Sequence, residues 1–259
     1  MLPPSAKFRI FFVIFFTLLA AGCQQSSSPL AEPRTTIRVE LSSTLQYLSP
    51  AIQACSLQGN RLHIILEEKP ASEMGKTGAE VSLRWGDSNI DPAARVFRLG
   101  SDRLVFAVHK DNPLQVLAVE QVSFLNNGGG SSWSEILKEF CPKCSASESF
   151  ANQDLEPWQY SPGEDISLEI ARVHSFNQSG TMNRVWVAPN PQAVAEAITN
   201  NPAAVGWLPA RWINDNLKEV ALQGINPADL IIPVLALTPL EPVPVVREWL
   251  ACLQSSFNN

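Results

Sequence analysis

The stretch GSDRLVFAVHKDNPL, Gly100 to Leu114, decides how the chain is organised. Arg95 to His109 carries two extended segments on either side of Gly100-Ser101-Asp102, the second being Leu104-Val105-Phe106-Ala107-Val108. Asp111-Asn112-Pro113 then stops the run, because such residues favour turns and proline has no N–H to donate to a sheet. Upstream, Ile37–Leu41, Arg61–Glu67 and Val81–Trp85 read as strands. Ser42-Ser43-Thr44 follows the first of these and meets an apolar-periodic stretch, Leu45 to Ala54, where hydroxyl residues act as helix N-caps. Downstream, Val119–Leu125, Trp133–Phe140, Gln192–Asn200 and Pro242–Ser255 have helical spacing, the last with proline at its start. Leu168–Val173, Val205–Leu208, Glu219–Leu222 and Pro233–Leu237 read as strands, and Cys144–Asp165 as irregular. Alternation of strands and helices predicts an α/β fold with a largely parallel sheet. There is no internal repeat and no nucleotide-binding GxGxxG or GxxxxGK[ST] run.

The N-terminus reads as an export signal. Lys7 and Arg9 precede an apolar run of twelve residues, Ile10 to Ala21, interrupted only by Thr17. A run this short does not span a bilayer as a permanent helix. Leu19-Ala20-Ala21-Gly22-Cys23 resembles a bacterial lipobox, which implies cleavage before Cys23 and lipid on that cysteine. Two or more acyl chains make a stable anchor. Residues 24–36 (QQSSSPLAEPRTT) read as a flexible tether, leaving a folded region from Ile37 onward.

The chain carries a net charge of −6. Without Lys7 and Arg9 it has 17 basic residues against 25 acidic ones, a net charge of −8. No Lys/Arg block occurs, which argues against nucleic-acid binding. Export permits disulfides among Cys55, Cys141, Cys144 and Cys252. Cys141-Pro-Lys-Cys144 reads as a local disulfide or two free thiols, with a redox pair or half a metal site as the alternatives. Nothing completes a zinc site, since His63, His109 and His174 are scattered. No nucleophile–base constellation is visible, so binding is expected rather than catalysis, with no catalytic residue, metal or cofactor. Seven tryptophans suit either core packing or an aromatic-lined cleft.

Two sites share one physical signature. Ser42-Ser43-Thr44 and Ser179-Gly180-Thr181 each follow a strand and open a helix. Free N–H groups at a helix start, with hydroxyls and a glycine that lets the backbone approach closely, can hold an oxyanion without a metal. Both are also readable as plain caps, as most Ser and Thr before helices are. Asp87 is either an acceptor for a protonated oxyanion or a turn residue.

The order of these features resembles phosphate-type periplasmic solute-binding proteins of ABC transporters, in lipoprotein form. Gly100–Leu114 is similar to the family's strand leaving the first lobe, and Val119–Ile136 to its helix, glycine turn and "W-S-E" helix. Ser179-Gly180-Thr181 matches the family's S-G-T, and Asn201–Pro209 is similar to its return strand. Ser42-Ser43-Thr44 sits at the family's first ligand loop. The resemblance implies a two-lobed type 2 fold, with 37–110 plus 206–259 as lobe 1 and 111–205 as lobe 2. It implies a monomer that captures a small anion, phosphate or a related oxyanion, between the lobes for an ABC permease. Ser42, Ser43, Thr44, Asp87, Ser179, Gly180 and Thr181 are then the expected ligand-binding residues. One departure stands out: Ser175 occupies the position where phosphate binders carry an arginine. An organic solute, or a sensor or scaffold role with a degenerate cleft, is the alternative.

Overall fold

The structure, a computed structural model, describes residues 35–58, 61–88, 90–174 and 185–257. Cys23, Ser175 and Ser179-Gly180-Thr181 lie outside the described residues. In chain order the first strands are β1 (Thr35–Ser42), β2 (Leu62–Lys69), β3 (Val81–Trp85) and the long β4 (Arg95–His109). With β11 (Ile231–Thr238) they form the sequence β2-β1-β3-β11-β4. β1 runs parallel to β2 and β3, and β11 is antiparallel to β3 and β4. β1 is buried from Val39 to Ser42 and β3 along its whole length, as expected of parallel strands covered on both faces.

β4 joins two sheets. Its first part, Arg95–Arg103, pairs with β11, and its second part, Leu104–Val108, pairs antiparallel with β8 (Ala204–Pro209). Exposed and buried residues mix along the first part, whereas Leu104–His109 are all buried. The unbroken apolar run Leu104–Val108 is thus the part that enters a covered sheet. The second sheet continues from β8 to β6 (Glu156–Tyr160) and β7 (Trp186–Ala188), all parallel to one another. β9 (Leu217–Glu219) pairs with the end of β4, and β10 (Ala221–Gln223) makes a two-stranded ribbon with β5 (Val116–Ala118). The segment expected as one strand, Glu219–Leu222, is therefore divided at Val220 between two partners. In the sheets, β8 and β9 hydrogen-bond to the second part of β4, and it is β11 that returns to the first sheet.

Two helices flank the first sheet: α1 (Ser49–Leu57), entered through a 3-10 turn at Ser43–Leu48, and the C-terminal helix (Pro244–Phe257). They are cross-linked by a Cys55–Cys252 disulfide, and Trp249 Nε1 donates to the Ile52 carbonyl at 3.3 Å. Between the strands of the second sheet lie α2 (Val119–Asn126), α3 (Trp133–Phe140), the single turn α4 (Glu148–Ala151), α5 (Asp165–His174) and α6 (Pro191–Asn200). α6 starts as its sequence dictates: Asn190 caps the Ala193 N–H at 3.0 Å, and Pro191 occupies the first turn. The C-terminal helix is α7. Trp85, Trp133, Trp207 and Trp249 are core residues, and Trp186 alone of the seven is mostly exposed. Cys141 and Cys144 are disulfide-bonded to each other, the first of the alternatives the spacing left open.

The loop between β2 and β3 is tied down by a buried acid. Glu40 accepts from Thr77 Oγ1 (2.5 Å), Gly75 N–H (2.7 Å), Ser82 Oγ (2.8 Å) and Lys69 Nζ (3.2 Å). Burial works against its charge, but these four hydrogen bonds together outweigh it and hold the carboxyl below the usual glutamate value. Among the described residues no helix is long and apolar enough to cross a membrane, and no cluster of His, Cys, Asp and Glu could hold a metal.

Leu168–Val173, expected as a strand, lies within α5. The residues read either way by local pattern, and long-range contacts decide. A helix puts Asp165, Glu169 and Arg172 on one face at i, i+4 and i+7, with Ile166 and Ile170 beside them. Asp165, Glu169 and Ile166 are all buried there, and both carboxylates find donors on the first sheet. A strand would set Asp165 and Glu169 about twice as far apart and turn Arg172 to the opposite face.

Candidate functional site: a cradle of oxyanion donors

β1 and β3 are hydrogen-bonded neighbours running the same way, so their C-terminal ends, Ser42 and Trp85, emerge together. This end of a parallel sheet is where α/β proteins bind ligands. Ser42, Ser43 and Thr44 are buried there. Ser42 caps the 3-10 turn, accepting from the Thr44 N–H at 3.4 Å. The Thr44 hydroxyl is buried and has no hydrogen-bond partner among the described residues. After β3 the chain turns at Gly86, whose φ of 102° is the left-handed kind that favours glycine. A Cβ at Gly86 would sit 2.2 Å from Glu169 Oε1, so glycine is required by contact as well as by φ.

α5 and the residues just before it come off the second sheet and place three carboxylates against these strand ends. Ser43 Oγ donates to Glu164 Oε2 at 2.5 Å. Arg84 holds Asp165 Oδ1 through Nε (3.1 Å) and a terminal nitrogen (2.6 Å), while the Trp85 N–H donates to Oδ2 at 3.1 Å. The Asp87 and Ser88 N–H groups converge on Glu169 Oε1 at 3.1 and 3.0 Å, and Arg172 Nε meets Oε2 at 2.7 Å. Successive N–H groups aimed at one oxygen form an anion nest. The Ser43 hydroxyl on Glu164, the Ser42 hydroxyl on Asp165, three backbone N–H groups and guanidinium groups thus hold three carboxylates within a few residues of each other.

The electrostatics match this crowding. Burial pushes the Asp165 carboxyl above its usual value, against the pull of the Arg84 guanidinium. Burial also raises Glu164, opposed by the Ser43 hydrogen bond and reinforced by the charges of Asp165 and Glu68. A cavity of about 220 Å³ lies between the loop before β3 and the end of β11, lined in part by Gly75, Ser82, Asp91 and Thr238, and shares only Arg84 with the cradle.

The structure brings Ser42, Ser43 and Thr44 together with the turn that carries Asp87. Asp87 takes part through its backbone N–H, and its side chain is exposed. The residues that sequence reasoning missed are Arg84, Glu164, Asp165 and Glu169. Their signal is the helical spacing of Asp165 and Glu169, which disappears when 168–173 reads as a strand.

β4 carries β11, β3, β1 and β2 on its first part and β8, β6, β7 and β9 on its second, an α/β arrangement of the two-lobed periplasmic-binding-protein kind. Solved structures agree at the level of fold. A phosphate ABC transporter substrate-binding protein from Clostridium perfringens, described as putative and holding phosphate, superposes with a TM-score of 0.67 at 12% identity, covering 85% of this chain and 93% of its own. An ABC-type phosphate transport receptor from Vibrio cholerae gives 0.61 at 14% identity over 86% and 95%. A cysteine-to-serine mutant of OxyR from Corynebacterium glutamicum, bound to hydrogen peroxide, gives 0.59 at 12% identity over 98% and 74%. The fold is therefore shared with regulators as well as with transport receptors. No protein-family model and no curated protein matches the chain.

Proposed function

We propose that this chain is an extracytoplasmic, lipid-anchored solute-binding protein that captures a small oxyanion between two lobes for an ABC permease, acting as a monomer. The observation that carries the reading is the convergence of Ser43 Oγ and the Trp85, Asp87 and Ser88 N–H groups on carboxylate oxygens at the ends of β1 and β3. A site that solvates carboxylate without a metal has the chemistry to solvate phosphate or sulfate. The buried, unpartnered Thr44 hydroxyl adds a further donor. The lobes divide at the middle of β4, near Arg103 and Leu104, with the return crossing just before β11. Ser179, Gly180 and Thr181 supply the opposing donors in this reading.

Isothermal calorimetry of the exported chain with phosphate, sulfate and molybdate tests it. Dissociation constants in the micromolar range are expected for at least one, weakened about tenfold or more by Ser43→Ala, since a hydrogen bond to a charged group contributes roughly 1.5–3 kcal/mol. Silence with all three anions sinks the oxyanion reading. A second reading is then favoured, a sensor or scaffold lipoprotein with a degenerate cleft, because the donors already hold internal carboxylates. The anchor rests on Leu19–Cys23. Cys23→Ser is expected to abolish incorporation of labelled fatty acid and release an exported soluble form. Undiminished labelling would place the lipid elsewhere.

A further inference from the structure

The donors of the cradle are already engaged. Each is bonded to a carboxylate carried by α5 or by the residue before it. Ser43 is spent on Glu164, Trp85 N–H and Arg84 on Asp165, and Asp87 and Ser88 N–H on Glu169. Glu169 and Asp165 are 0% and 2% exposed, so water does not share these bonds to any extent. The fit is close: Gly86 has no room for a Cβ against Glu169.

Resting on the oxyanion reading, we infer that Glu164, Asp165 and Glu169 form a tethered internal ligand that holds the cleft closed without solute. The contact links the two sheets. The donors belong to β1, β3 and their following turns, and the carboxylates arrive from the chain leaving β6. A second contact closes the same seam, where the Ser72 N–H donates to the Gly163 carbonyl at 3.0 Å. An incoming anion must displace the carboxylates, and while they remain in place it also meets their negative charge. Its apparent affinity is reduced by the fraction of molecules in which the carboxylates are withdrawn. The arrangement works as an autoinhibitory contact: closure without solute is satisfied internally, and only an anion that the cradle holds better than its own carboxylates opens and refills it.

Removing the competitor raises affinity. In the exported full chain, calorimetry with inorganic phosphate should show Glu164→Ala/Glu169→Ala binding at least tenfold tighter than wild type. Both residues are chosen because Asp165 is left to neutralise Arg84. Glu164→Gln/Glu169→Gln keeps the side-chain volume and removes two charges. It guards against a folding defect in the alanine pair and should also tighten binding, by a smaller factor. Hydrogen exchange supplies a readout without solute: the Asp87 and Ser88 amides should exchange at least tenfold faster in the alanine variant. If wild type binds phosphate and neither variant gains, the internal-ligand proposal is overturned and the oxyanion reading stands. If neither wild type nor variants bind, both fail. Unchanged exchange at Asp87 and Ser88 overturns the internal ligand on its own.

Discussion

Replacing Cys55 and Cys252 with serine is expected to lower the melting temperature by roughly 10–20 °C. The two residues lie 197 positions apart, so nearly the whole folded chain is enclosed by the bond. Closing a loop of that length in the unfolded ensemble contributes about 5 kcal/mol on the chain-entropy account. In a domain of this size each kcal/mol moves the midpoint by about 2–4 °C. The bond ties α1 to α7, the helices that cover the first sheet, and the entire second sheet is inserted between them in sequence. Cys141 and Cys144 are only three positions apart, and the same relation gives their bond about 2 kcal/mol or less. Cys141→Ser/Cys144→Ser is therefore the control, with a shift of only a few degrees. Circular dichroism melts of both double variants decide the matter. Equal shifts for the two pairs would show that loop entropy is not what the long bond supplies.

The strands at both ends of the chain are legible because their apolar residues alternate or run together and Gly, Asp or Pro follows several of them. Val81–Trp85 matches residue for residue, since all five side chains are buried and Gly86 follows. Leu104–Val108 reads as extended, but its sequence does not say that the strand joins two sheets. That fact depends on which partner pairs with each half, and the partners lie far along the chain. Arg103 meets Ile231, and Val108 meets Val205. Ser42-Ser43-Thr44 is legible as a cap because capping is local. The acids that meet these residues are not. Ser43 and Glu164 are 121 positions apart, and Arg84 and Asp165 are 81 apart. Local pattern at 165–174 fits a strand or a helix about equally, and only burial of Asp165 and Glu169 against the first sheet selects the helix. Charge alone gives no warning either, because a Glu-Asp pair in a polar stretch ordinarily faces solvent.

Arg84→Ala is expected to cost about 3–5 kcal/mol at neutral pH, because it leaves the Asp165 carboxylate buried without its counter-charge. Arg84 and Asp165 are 7% and 2% exposed, so solvent cannot take over the lost bonds. What remains for Asp165 is the Trp85 N–H and the Ser42 hydroxyl. The penalty should depend on pH in a definite direction. Burial already raises Asp165 above its ordinary 3.8 while Arg84 opposes the rise, so removing Arg84 raises it further. A carboxyl whose folded value is raised binds its proton more tightly in the native state. It therefore stabilises the fold below its unfolded value, and that contribution is lost as pH rises through the folded value. The gap between wild type and Arg84→Ala should accordingly narrow as the solution is acidified and widen toward neutrality. Urea unfolding at several pH values would measure it. Arg84→Met/Asp165→Leu supplies the complementary arm: with both charges replaced by apolar groups of similar size, most of the stability should return. A loss that stays constant with pH, and that the double variant does not recover, would mean that Arg84 acts through packing and not through the charge of Asp165.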